Sequence, residues 1–286
     1  MSPPDLRGRT IVITGGNSGI GKEAAVALAG MGARIVVAAR NRAKGEAAVA
    51  EITSRSSNDD VELASLDLAS MASIHAFAEQ LLASHDRIDV LLNNAGLTMR
   101  KRSETADGFE TTFGVNHLGH FLLTQLLRER LVASAPARVV NVASDAHRFA
   151  RKGLDFDDLM ATRHYRGFLI YARSKLANIL FTRELARRLD DTGVTANSVH
   201  PGFVASNFAR EGDTGRLGNL AMIAGRPFAK NATKGAETSV FLASSPTVDG
   251  VTGQYFANST LAKPSKAAED DAAAARLWTV SEQLVR

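Results

Sequence analysis

The stretch Thr14-Gly15-Gly16-Asn17-Ser18-Gly19-Ile20-Gly21 follows a β-branched run, Thr10 to Thr14, and precedes a helix-length segment from Lys22 to Met31. Strand, glycine-rich turn and helix N-terminus in that order build an anion cradle. The first helical amides have no intrahelical partner, the helix dipole favours negative charge, and glycine lets an oxygen approach the backbone. A magnesium-holding phosphate loop is excluded, because Gly21-Lys22 is followed by Glu23 and not by Ser or Thr.

The rest of the chain repeats the alternation. Short apolar runs recur at Arg34–Ala38, Val61–Leu66, Ile88–Leu92, Arg138–Val142, Val194–Val199 and Gly253–Phe256, separated by segments rich in Ala, Glu, Leu and Lys. Near-continuous apolar strands alternating with helices predict an α/β fold: a single doubly wound (Rossmann) parallel sheet with helices on both faces. With no linker, repeat or low-complexity segment, residues 1–286 read as one domain. Two appendages are expected. A glycine-interrupted apolar patch at about 203–230 reads as a mobile substrate lid, and about 267–286 as a C-terminal helix anchored by Leu277, Trp278, Val280 and Leu284.

A glycine turn after the first strand of such a sheet points to a dinucleotide, and the second strand's tip distinguishes two kinds. It reads Ala38-Ala39-Arg40-Asn41-Arg42. No carboxylate stands where it would bond a free ribose hydroxyl, and Arg40 supplies a guanidinium suited to a 2′-phosphate. NADP(H) is therefore expected in preference to NAD(H). The net charge of +4 comes without zinc-finger spacing, an RNP-like segment or a long basic block, so no nucleic-acid partner is expected. The absence of cysteine excludes thiolate chemistry, and His117 and His120 lack a Glu-containing zinc motif, so no metal is expected. The N-terminal MSPPDLRGRT has neither an apolar h-region nor a transit composition, and no run of eighteen apolar residues occurs. A cytoplasmic protein without a membrane anchor is the expectation.

These features fall into one pattern. The spacing Thr14-Gly15-x-x-x-Gly19-x-Gly21, Asp67-Leu68, Asn93-Asn94-Ala95-Gly96, Asn116, Ser144, Tyr171-x-x-x-Lys175 and Pro201-Gly202 resembles the classical short-chain dehydrogenases/reductases over nearly the whole chain. The segments Ala106–Glu110, Val115–Phe121, Ser174–Asn178 and Ala275–Trp278 are similar to those of retinol dehydrogenases and WW-domain oxidoreductases. The resemblance implies hydride transfer between an alcohol and a ketone or aldehyde, with Asn116, Ser144, Tyr171 and Lys175 as the catalytic set. It implies cofactor contacts at Gly15, Asn17, Ser18, Gly19, Ile20, Gly21, Arg40, Asn41, Asp67, Leu68, Asn94, Ala95, Gly96, Tyr171, Lys175, Pro201, Gly202, Val204 and Ser206. In this scheme Asn116 bends its helix and holds a water that relays protons to Lys175.

The residue types suit that chemistry. A phenol has a pKa of about 10, so an acid/base tyrosine needs a cation beside it, and a lysine four residues on along a helix is a neighbour. Ser144 would donate a hydrogen bond to the substrate oxygen, although a serine after a strand is also an ordinary cap. Tyr165 has Leu at position 169 instead of a cation, so it reads as packing or a pocket wall. Val142-Ala143-Ser144-Asp145-Ala146 is not a nucleophile elbow, which argues against a hydrolase. Phe149, Phe203 and Phe208 suggest an apolar substrate. Two rivals are a double-bond reductase, opposed by the lack of a cysteine donor, and an NADP(H)-binding sensor without turnover, opposed by the intact catalytic set.

The helix from Ser174 to Leu189 carries a broad apolar face of Leu176, Ala177, Leu180, Phe181, Leu185 and Leu189. Such a face predicts a homodimer or homotetramer, or a monomer if the terminal segment covers it.

Overall fold

Strands that read as continuous apolar runs lie in the middle of the sheet. In the computed structural model, which describes residues 4–202 and 232–286, β1 (Thr10–Thr14), β2 (Arg34–Ala39), β4 (Val90–Asn93) and β5 (Ala137–Val142) are buried along nearly their whole length. The strand β3 (Val61–Ser65) is half-exposed, as an edge strand should be. With β6 (Val194–His200), β7 (Tyr255–Ala257) and β8 (Thr260–Leu261), the described residues form one sheet of order β3-β2-β1-β4-β5-β6-β7-β8.

Seven of these strands run parallel. The departure from the expected parallel sheet is β8, which turns back antiparallel on β7 through Asn258 and Ser259, both in the left-handed region. A two-residue strand after a tight turn leaves no periodicity to read.

Side chains alternate across the sheet and so divide the core. One layer takes Val12, Val36, Leu91, Val139 and Ala196 against α3 (Met71–Ser84), α5 (Gly119–Ala133) and α6 (Gly167–Arg188). The other takes Ile11, Ile13, Ile35, Val37, Leu92, Val140 and Val199 against α1 (Gly19–Gly30) and α7 (Ala232–Ser244). Between β2 and β3 lies α2 (Arg42–Ser56), and before α5 stand α4 (Thr111–Phe113) and a π-helical turn, Gly114–Leu118.

The terminal helix forms as α8 (Asp271–Leu284), capped by the Asp270 carboxylate, which accepts from the Ala273 amide at 2.9 Å. Its Trp278 stacks on Phe181 of α6 at 5.9 Å and meets Phe121 of α5 edge-on at 5.0 Å. Arg183 and Arg187 of α6 pair with Asp271. Leu176, Ala177, Leu180, Phe181, Leu185 and Leu189 are all buried within the chain. The apolar face read as an oligomer contact is therefore covered internally, and it makes no case for an oligomer. Among the described residues, no helix is long and apolar enough to cross a membrane.

Candidate active site

All six strands β1 to β6 end beside residues named above. Gly15–Gly21 follow β1, Arg40 and Asn41 follow β2, Asn94–Gly96 follow β4, Ser144 lies two residues beyond β5, and Pro201-Gly202 follow β6. Asp67-Leu68 lie just past β3. The order 3-2-1-4-5-6 reverses direction between β1 and β4, which opens the crevice where a parallel sheet accepts a ligand. Val204, Ser206, Phe203, Phe208 and the expected lid lie outside the described residues.

At the crevice floor, glycine is sterically required at Gly21. A Cβ there would stand 2.5 Å from Asn94 Nδ2 and 2.6 Å from the Gly15 carbonyl oxygen. Ser18 occupies the N-cap of α1 without a side-chain cap bond, which leaves the first amides of that helix for an incoming acceptor. The Thr14 hydroxyl accepts from the amides of Asn94 at 2.9 Å and Ala95 at 3.0 Å, while Asn94 Nδ2 donates to the Thr14 carbonyl at 2.8 Å. The turn after β4 is thus tied to the end of β1. Arg40 is exposed and has no ion-pair partner among the described residues. This cradle of open amides with an exposed guanidinium at its rim fits a phosphorylated dinucleotide. The Asn41 side chain accepts from the Lys44 amide at 2.9 Å and caps α2. The Asp67 carboxylate accepts from the Ala69 amide at 3.0 Å.

On the other side of the crevice stands the start of α6. Tyr171, Lys175 and Asn178 share one face of it by their spacing. The Lys175 ammonium, only 3% exposed, donates to the Val142 carbonyl at the end of β5 at 3.0 Å, and Asn178 Nδ2 donates to the same oxygen at 3.1 Å. Lys175 Nζ lies 5.7 Å from the Tyr171 ring centroid. Tyr171 is half-buried and hydrogen-bonded to Ser144. Its surroundings push the phenol up to about 12, with the Ser144 bond opposing, and burial pulls Lys175 down to about 8. Two residues past β5, Ser144 caps the 3₁₀ turn Asp145–Phe149 by accepting from the Ala146 amide at 3.2 Å. The cap reading of this serine and its contact with Tyr171 hold together.

Asn116 sits at the centre of the π-helical turn, where the Gly119 amide reaches back to the Gly114 carbonyl. Its side chain accepts from the Leu97 amide at 2.8 Å and donates to the Leu97 carbonyl at 2.9 Å and to Ser174 Oγ at 3.0 Å. Gly96 fits between the two sides, since a Cβ there would lie 3.3 Å from Lys175 Nζ and 3.4 Å from Asn116 Oδ1. Asn116, Ser144, Tyr171 and Lys175 are thus brought together around the crevice.

Tyr165 is not part of this group. Its hydroxyl donates to the Met99 carbonyl at 2.9 Å and lies 3.2 Å from the buried Glu110 carboxylate, and burial pushes it up to about 12. His117 and His120 serve separate partners in the core, His117 with Ser281 of α8 and His120 with Thr14. Among the described residues, no cluster of three His, Cys, Asp or Glu could hold a metal. Asn178 and His120 were not singled out for the site on sequence grounds. Asn178 had a legible signal in its helical spacing from Tyr171, whereas His120 had none.

The family described as short chain dehydrogenase matches residues 9–155 and 159–216. Human retinol dehydrogenase 12 is 48% identical over 280 residues, covering 98% of this chain and 87% of its own length. A crystal structure of an uncharacterized protein from Mycobacterium paratuberculosis superposes with a TM-score of 0.80 at 36% identity, covering 99% of this chain and 96% of that one. The active-site complex of Pseudomonas aeruginosa RhlG with NADP superposes with a TM-score of 0.70 at 27% identity, covering 90% and 97%.

Proposed function

The chain belongs to the short chain dehydrogenase family, and from that premise we propose that it is an NADP(H)-dependent oxidoreductase interconverting an apolar alcohol and its aldehyde or ketone. The observation that carries this reading is the hydrogen-bonded Ser144–Tyr171 pair with the Lys175 ammonium 5.7 Å from the phenol ring, facing the glycine cradle across one crevice.

A nicotinamide held in this crevice would supply or accept the hydride. In reduction, the Tyr171 hydroxyl gives its proton to the substrate oxygen as the carbonyl carbon gains hydride. In oxidation, the phenolate takes the hydroxyl proton as hydride leaves the carbinol carbon. Ser144 donates a hydrogen bond to that oxygen and favours the charge it develops. Lys175, when protonated, stabilises the phenolate electrostatically. Asn116 fixes the backbone on which these groups are spaced, through Leu97 and Ser174.

On the nucleotide side, the α1 amides would hold the diphosphate and Arg40 the 2′-phosphate. The RhlG structure with NADP is a neighbour that supports this choice. Support for an apolar substrate comes from Phe149 and Phe168, 59% and 58% exposed and edge-to-face at 5.1 Å. The first follows Ser144 by five residues and the second precedes Tyr171 by three, so the exposed pair lies close in sequence to both catalytic residues. The retinol dehydrogenase relatives also support it.

Turnover of a panel of apolar alcohols and carbonyls with NADPH and NADP tests the reading, with Tyr171→Phe as control. An unchanged rate in that variant, or no turnover in the wild type, would remove it.

A further inference from the structure

His120 lies at the first turn of α5, buried, with both ring nitrogens engaged. Its Nδ1 is 3.1 Å from the Asn116 carbonyl oxygen and its Nε2 is 2.9 Å from Thr14 Oγ1. A carbonyl oxygen can only accept, so Nδ1 carries the proton. A neutral ring then presents a lone pair at Nε2. The Thr14 hydroxyl already accepts from the amides of Asn94 and Ala95, so its own proton goes outward. The Leu92 carbonyl stands 3.5 Å away, at the limit of a hydrogen bond, and the imidazole at 2.9 Å is the better acceptor. Burial holds the ring at about 4, so it is neutral at ordinary pH.

The bonds form one directed path. It runs from the amides of Asn94 and Ala95 through Thr14 and the imidazole to Asn116. The Asn116 side chain then holds Leu97 and, at 3.0 Å, Ser174 on the catalytic helix. A phenylalanine would fill the same space without burying two polar atoms, so what the imidazole contributes there is its hydrogen bonds.

We propose that His120 is a positioning residue that links the nucleotide-side turn after β4 to the π-helical turn and catalytic helix, so that cofactor and proton donor are held at a set distance. Its kinetic consequence rests on the oxidoreductase reading, while its structural consequence does not.

The test compares His120→Asn, His120→Gln and His120→Phe with the wild type. Nitrogen-15 spectra of the ring, NADPH titration by fluorescence and single-turnover oxidation of NADPH with aromatic and long-chain aldehydes are measured, with melting curves to count folded protein. Asparagine keeps a donor where Nδ1 stands, and glutamine keeps an acceptor toward Thr14. His120→Gln should therefore bind NADPH within about 3-fold of the wild type yet transfer hydride about 10- to 100-fold more slowly, because small misplacements at a reacting centre have large kinetic effects. His120→Asn should show the reverse split: hydride transfer within about 3-fold and NADPH weakened about 3- to 10-fold. His120→Phe should lose both, and the wild-type ring should carry its proton on Nδ1 at neutral pH.

Equal losses in the Asn and Gln variants, rates that follow melting temperature alone, or a proton found on Nε2 would overturn the proposal. If the wild type binds NADPH but oxidises it with no aldehyde, the oxidoreductase reading fails by itself. The ring tautomer and the contrast in NADPH affinity between the Asn and Gln variants then decide the link.

Discussion

Lys175 holds its ammonium 5.7 Å from the centre of the Tyr171 ring while donating to the Val142 carbonyl at 3.0 Å, so the helix bearing the phenol is fastened to the strand leading to Ser144. Tyr171→Phe keeps the ring and its packing and removes only the hydroxyl. The expected loss in kcat/KM is about 100- to 10,000-fold, the range of general acid–base catalysis, with NADPH affinity within about 3-fold. Steady-state kinetics beside a fluorescence titration check both halves.

The same lysine should cost the fold stability. Its charge is buried and its folded pKa lies near 8, below the ordinary 10.5. At neutral pH both folded and unfolded chains carry the proton, so the full burial cost is present. As pH rises from 8 toward 10.5 the folded chain releases the proton while the unfolded chain keeps it, and wild-type stability increases. Lys175→Met should thus be inactive and more stable at pH 7 by about 1–2 kcal/mol, the burial cost less the lost hydrogen bond. That advantage should shrink at pH 9 to 10. Urea melts at the two pH values measure it, and a variant less stable at pH 7 would contradict the burial argument.

The proposed nucleotide preference rests on Arg40 at the tip of β2. A charge-assisted bond to phosphate contributes about 1.5–3 kcal/mol, so Arg40→Ala should weaken NADPH roughly 10- to 100-fold and leave NADH little changed. Because Arg40 is exposed, the NADPH preference should also fall with added salt. Titrating both nucleotides at low and high ionic strength checks this, and equal wild-type binding of NADPH and NADH would remove Arg40 as the discriminator.

The parts of the fold that could be read in advance were those written in local periodicity. Continuous apolar runs marked the central strands, and the glycines after Thr14 marked the crevice. Tyr171 and Lys175 stood out because a helix brings residues four apart together, and Asn178 was legible by the same rule. The link through His120 joins positions 14 and 120, which only the folded sheet brings to 2.9 Å. The π-helical turn at Asn116 widens a helix by one residue, too little to disturb an apolar pattern over a few turns. The apolar face of α6 was read as an oligomer contact, yet it is buried within the chain against the sheet and α8, and nothing local distinguishes a helix of the same chain from one of another.

Trp278 is where that partnership can be tested. It is fully buried, stacks on Phe181, meets Phe121 edge-on and lies under the Arg188 guanidinium at 4.3 Å. Truncating a buried aromatic of this kind costs about 3–5 kcal/mol, so Trp278→Ala should lower the melting temperature by several degrees. Phe181 stands ten residues beyond Tyr171 on α6, about 15 Å along the axis, so the chemistry at the crevice should be unaffected. Well below its melting point the variant should therefore keep its turnover per folded molecule. Loosening α8 would also bare Phe181 and Leu185, and an exposed apolar patch invites association. Light scattering should accordingly show a larger species in Trp278→Ala than in the wild type at equal concentration. A variant unchanged in both stability and size would mean that α8 contributes little to covering α6.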